Sequence, residues 1–168
     1  SDQWHNQKNL EATKHSWGKL MEQKGYQTYM TGKWHVPIDP KKIFQTVRNV
    51  RPGMPRDFFK KEGRKGYDRP KKAELDTWKA ADSLNGGFWE GGKHWSEVIK
   101  DDALDFLNQS SEKEGPFFMY LAFNAPHDPR QSPQSFLDRY LLEEIPLPDN
   151  WLPEYPYKDA IGNPKTLR

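Results

Sequence analysis

Residues 116–129 read Pro116-Phe117-Phe118-Met119-Tyr120-Leu121-Ala122-Phe123-Asn124-Ala125-Pro126-His127-Asp128-Pro129, a nearly unbroken apolar run that stops at a polar, proline-stiffened loop. A strand with one wet face alternates apolar and polar residues, whereas a strand covered on both faces is apolar throughout. Residues 117–123 therefore predict a central strand of a parallel sheet, entered through a Gly115-Pro116 turn. The loop at 124–129 then falls beyond the strand's carboxyl end, where open α/β sheets bind their ligands.

Working outward, residues 26–31 are rich in β-branched and aromatic side chains and predict a second strand. It leads directly into Gly32-Lys33-Trp34-His35, and Pro37 ends regular structure. Before it, Trp17, Leu20 and Met21 recur at helical spacing within 13–24, with Gly25 as the stop. A longer helix is expected over about 96–109, with Ser96 as N-cap and Trp95, Val98, Ile99, Ala103, Phe106 and Leu107 as its buried face. Ser132-Pro133 opens a short helix to about Tyr140, with proline at the first helical position. Residues 36–92 read as irregular, and from Ile145 onward five prolines keep the chain extended on the surface. Helix, strand, long insertion, helix, strand: the order predicts an α/β fold, with each strand delivering a polar loop to the same sheet edge.

Composition bounds the function. The chain has 168 residues, 26 Lys+Arg against 24 Asp+Glu, and seven Trp within an aromatic fraction of 14%, too aromatic for pervasive disorder. Zero Cys excludes a disulfide scaffold, a Cys-ligated zinc site and thiol chemistry within these residues. No apolar run approaches the ~18 residues of a membrane span. The opening Ser1-Asp2-Gln3-Trp4-His5 shows neither an initiator Met nor a signal-peptide pattern, so the chain is expected to be the interior of something longer. Charge is uneven: residues 41–72 hold twelve Lys/Arg against Asp57, Glu62 and Asp68. That basic insertion reads as a solvated surface excursion, an anionic-substrate rim or a nucleic-acid patch. No recognised nucleic-acid motif accompanies it, and no nucleic-acid partner is expected.

If the first strand stays extended through its end, Lys33 and His35 project to one face and Trp34 turns into packing. A cation beside an imidazole suits an anionic, oxygen-rich group that must exchange protons near neutral pH. His127 occupies the equivalent loop after the second strand, beside Asp128, which could orient an imidazole or cap a turn. His94, next to Lys93 and among four glycines, and Arg130, just past His127, are further candidates for substrate binding. Trp89 and Trp95 could stack on a sugar or fill the core, and Asp101-Asp102 reads as a solvated helix face.

Gly25-Tyr26-Gln27-Thr28 closing on Gly32-Lys33-Trp34-His35, followed in order by PFFMYLAFNAPHDP, resembles the type I sulfatases, and the resemblance spans roughly residues 13–157. Gly91-Gly92-Lys93-His94-Trp95-Ser96-Glu97 and Arg130-Gln131-Ser132-Pro133 are similar to arylsulfatase and choline-sulfatase-like members. The resemblance implies an alkaline-phosphatase-like mixed sheet flanked by helices, with residues 1–168 forming part of the catalytic domain. It implies hydrolysis of a sulfate ester, on a small molecule or glycan, by a formylglycine made from the Cys or Ser of a Cys/Ser-x-Pro-x-Arg motif. By motif match Lys33 would bind the sulfate and the nucleophile's oxygen, His35 would act as the base that helps regenerate the aldehyde, and His127 would contact the sulfate and help protonate the leaving alcohol. A divalent cation, usually calcium, would neutralise the sulfate oxygens. No Cys/Ser-x-Pro-x-Arg occurs here, and the family's acidic metal ligands would precede Ser1 and follow Arg168, so no metal ligand is expected within the chain. Bacterial members of the family are usually periplasmic or secreted. Two other readings stay open: a non-catalytic binding module for sulfated polyanions, and a related phosphodiesterase or phosphonate hydrolase. The chain by itself is expected to be inactive and to fold poorly, with sheet edges left exposed.

Overall fold

In the computed structural model, which describes residues 13–53, 75, 78–83, 87–127, 130–152 and 156–157, three parallel strands form the frame. They are β1 (Gln27–Lys33), β2 (Thr46–Arg51) and, completing the sheet from much later in the chain, Phe117–Ala122. Between β2 and that last strand lie an antiparallel ribbon of β3 (Trp89–Glu90) and β4 (Lys93–His94) and a long helix. The last strand is accordingly β5. Helix α1 (Trp17–Gln23) precedes β1, α2 (Trp95–Ser111) precedes β5, and α3 (Gln134–Leu137) follows it. The α/β class, with a parallel sheet flanked by helices, agrees with the sequence reading; that the two expected strands are direct neighbours is new.

Strand order is β2-β1-β5, which makes β1 the central strand among those described. Its residues from Thr28 to Gly32 are all buried because layers cover both faces. On one side Met30 joins Ile38, Ile43 and Phe44, with Trp34, Val47 and Phe118 packed against them. On the other, Tyr29 lies 5.0 Å from the Phe106 ring of α2, and Phe88, Trp95 and Ile99 form a second cluster with Leu121. Trp34 does turn into packing, its Nε1–H donating to the Ile38 carbonyl at 2.7 Å.

Several expectations are corrected. β5 is not central among the described strands: it pairs with β1 alone, and Phe117 and Tyr120 are exposed. Residues 36–92 are not wholly irregular, since β2 forms within them. Trp17 and Leu20 of α1, and Leu107 of α2, face solvent rather than the core. The α2 N-cap is His94, not Ser96, and Pro133 sits before the first turn of α3 rather than in it. Trp89 and Trp95 are both buried core residues. Asp102 is 6% exposed, so only its neighbour Asp101 belongs to a solvated face. The basic insertion at 41–72 falls outside the described residues beyond residue 53.

Candidate active site at the sheet edge

Because β2, β1 and β5 run parallel, their carboxyl ends share one edge. The register brings Lys33 beside Arg51 and Gly32 beside Ala122. Gly32 adopts φ 100°, and a Cβ there would lie 2.1 Å from the Ala122 carbonyl oxygen, so only glycine lets β1 pass this close to β5. Immediately afterwards Lys33, Trp34, His35 and Val36 line a cavity of about 500 Å³, whose other wall is Tyr120, Leu121, Ala122 and Phe123. Lys33 is half-buried and His35 exposed, which leaves a cation and an imidazole facing a wet opening on an apolar floor.

The loop after β5 is tied down across the edge. Asn124, 5% exposed, donates from Nδ2 to the Gly53 carbonyl at 2.5 Å, linking the end of β5 to the end of β2 over the end of β1. The Trp34 N–H donates to the Arg51 carbonyl at 2.9 Å, and the His127 N–H to the Asn124 carbonyl at 3.0 Å. His127 is exposed on this edge, one residue past the cis Ala125–Pro126 peptide, and is not part of the lining around Lys33 and His35. The structure thus brings Lys33 and His35 into one cavity and puts His127 on the neighbouring turn. Arg130 is exposed nearby in sequence, beside the buried Gln131.

His94 has a different post. It is 4% exposed, its Nδ1 accepts from the Ser96 N–H at 3.3 Å, and its Nε2 lies 3.1 Å from the Gln131 carbonyl. The Nδ1 contact fixes the tautomer with hydrogen on Nε2, and Glu97 closes the cap by accepting from the His94 N–H at 3.1 Å. Burial pushes the His94 imidazole below the ordinary histidine range, partly offset by the Gln131 carbonyl and the Glu97 charge. Both ring nitrogens are spent on holding α2 and the 131 segment together, which leaves neither for a substrate.

Arg51 and Asn124 were not legible as edge residues in the sequence. Arg51 bridges to Glu90 at 3.1 Å and lies 5.3 Å over the Trp95 ring, holding the β3–β4 ribbon against the sheet. A basic residue at the end of a strand was the available signal, but it was lost among the eleven other cations of the insertion. Among the described residues, no three His, Asp or Glu side chains gather as a metal site, so these residues do not fit a calcium ion.

Comparison with known proteins bears on this edge. The family model described as Sulfatase matches residues 2–156. Among curated proteins, sulfatase YidJ of Escherichia coli is 26% identical over 127 residues, covering 73% of this chain and 25% of that protein. The N-acetylglucosamine-6-O-sulfatase of Bacteroides thetaiotaomicron is 30% identical over 115 residues, 65% of this chain and 16% of that enzyme. The mouse N-acetylgalactosamine-6-sulfatase is 25% identical over 134 residues, 74% of this chain and 25% of that enzyme. The chain spans about a quarter or less of the length of these relatives. With a match that runs through both strands and both of their loops, the chain belongs to the sulfatase family.

Proposed function

We propose that the protein hydrolyses a sulfate ester, with Lys33, His35 and His127 handling the tetrahedral anion and Arg130 reaching an anionic part of the substrate. What supports this is the parallel pairing of β1 with β5, which carries the Gly-Lys-Trp-His end of one strand to the same edge as the Pro-His turn of the other. Lys33 supplies a compact charge with three donors for the sulfate oxygens. His35 accepts a proton, and His127 donates one to the departing alcohol oxygen as that oxygen keeps the S–O bonding pair. A formylglycine contributed by sequence outside these residues would supply the nucleophilic oxygen when present, and the ligands of a calcium ion would likewise lie elsewhere in the protein. The names of two relatives, both N-acetylhexosamine 6-sulfatases, favour a sulfated carbohydrate as substrate.

The test is sulfate release by the full-length protein from an aryl sulfate and from a panel of 6-sulfated hexosamines. Lys33→Ala and His127→Ala should each lower kcat about 10²–10⁴-fold in folded protein. Undiminished sulfate release with Lys33, His35 and His127 all replaced by alanine would refute the assignment, as would cleavage of phosphodiesters with no action on sulfate esters.

A further inference from the structure

The Lys33 end of β1 is irregular. Its pairing with β2 runs Thr31 to Arg48 and then jumps from Gly32 to Val50, leaving Asn49 as an extra residue on β2. Asn49 adopts φ 44°, and Gly32, paired with the next residue Val50, adopts φ 100°. Each strand thus has a positive-φ residue at the irregularity, one step before Lys33 on β1 and two before Arg51 on β2. A bulge bends the strand that carries it, here β2, and bulges concentrate beside active sites; on β1 the departure from regular strand falls at Gly32, directly before Lys33. Bulges are rare in parallel pairs, so this one needs something to hold it.

Asp102 holds it. From the middle of α2 its carboxylate reaches the irregular rung, where the Thr31 hydroxyl donates to Oδ2 at 2.5 Å and Asn49 Nδ2 donates to Oδ1 at 3.0 Å and Oδ2 at 2.9 Å. Thr31 is fully buried and Asp102 nearly so. Burying a carboxylate is costly unless its oxygens are bonded, and here the bonds come from both strands at the point where they go out of step. An apolar side chain at this place on α2 would avoid that cost, but it would leave the Asn49 amide and the Thr31 hydroxyl unheld.

We infer that Asp102 is a positioning residue for Lys33: by holding Thr31, two residues before the lysine on β1, to the unpaired Asn49 of β2, it fixes how the Gly32–Lys33 end of β1 enters the strand-end cavity. This rests on the assignment of Lys33 as the sulfate-binding cation and requires no contact between Asp102 and substrate.

The experiment is steady-state hydrolysis of an aryl sulfate, with competitive inhibition by inorganic sulfate, in the full-length protein. The variants are Lys33→Ala, Asp102→Ala and Asn49→Gly, and each of the last two combined with Lys33→Ala. Asn49→Gly keeps the left-handed backbone free of strain and removes only the amide donor, so it decides the matter if Asp102→Ala does not fold. Asp102→Ala should lower kcat/KM tenfold to a hundredfold, roughly the effect of a small misplacement, and weaken sulfate inhibition in step. Asn49→Gly should do the same to a smaller degree. Both losses should vanish on the Lys33→Ala background, because they act through that side chain. A merely structural role would lower the melting temperature but leave sulfate inhibition of the folded fraction unmoved. Losses that multiply with Lys33→Ala, or unchanged sulfate inhibition in the folded clamp variants, overturn the inference alone. A fully active Lys33→Ala enzyme overturns the functional assignment, and this inference with it.

Discussion

Replacing Gly32 with alanine should separate β1 from β5, and its effect can be worked from the geometry. The new Cβ would lie 2.1 Å from the Ala122 oxygen and 2.8 Å from its carbonyl carbon, far inside the 3.4 Å at which ordinary contact begins. Both obstacles are backbone, so no side chain can swing away. The left-handed conformation costs an L-residue about 1–2 kcal/mol. Moving β5 aside breaks one or two ladder hydrogen bonds at about 1 kcal/mol each. The total is roughly 2–4 kcal/mol, a large part of the ~5–15 kcal/mol that holds a typical protein folded. Gly25 is the matched control, because its φ is 83° with nothing within 4 Å of the added carbon. Gly25→Ala should cost only the conformational part, about 1–2 kcal/mol. Urea denaturation followed by tryptophan fluorescence would compare the two variants in the full-length protein. Equal destabilisation by Gly32→Ala and Gly25→Ala would refute the claim that close approach to β5, rather than φ alone, demands glycine before Lys33.

Other outcomes follow from the packing and charge. Phe106, fully buried against Tyr29, should cost about 3–5 kcal/mol on truncation to alanine, measured by the same denaturation curve. The Arg48–Asp105 ion pair is 2.6 Å long but open to solvent on both partners, so Asp105→Ala should shift stability by no more than about 1 kcal/mol, with little left at high salt. His94 gives a pH dependence of defined sign. Its folded value lies below the ordinary 6.5, so above that pH it is neutral in both states and contributes no slope. As the pH falls below 6.5 the unfolded chain takes up a proton that the folded one refuses, and stability declines until the lower folded value is reached. His94→Asn, which can still cap α2, should flatten that part of a plot of denaturation midpoint against pH.

The strands that lead into Lys33-Trp34-His35 and into His127 were legible, β1 from its β-branched and aromatic residues and β5 from its nearly unbroken apolar run, and α2 was legible from its 3.6-residue period. β2 was not. Its sequence Thr46-Val47-Arg48-Asn49-Val50-Arg51 looks like a solvated segment until the partners are known: Asp105 and the Phe106 ring for Arg48, Asp102 for Asn49, Glu90 and the Trp95 ring for Arg51. Each partner is supplied by tertiary structure some 40–60 residues away, which local pattern cannot anticipate. The same holds for Asp102, an acid beside an acid on a helix, whose burial depends on two donors from separate strands. His94 was misleading for the opposite reason. Flanked by glycine and lysine it looks accessible, yet its ring completes a helix cap and a long-range hydrogen bond.

The strand order also imposes a schedule on biosynthesis. β1 can find β2 almost as soon as both leave the ribosome, but its other neighbour begins at Phe117, opposite Gln27, some ninety residues later. At translation rates of about 5–20 residues per second, one flank of β1 waits roughly 5–20 s for its partner. During that interval an apolar strand edge is open to any passing chain, so chaperone demand should peak while the stretch between β2 and β5 is being made.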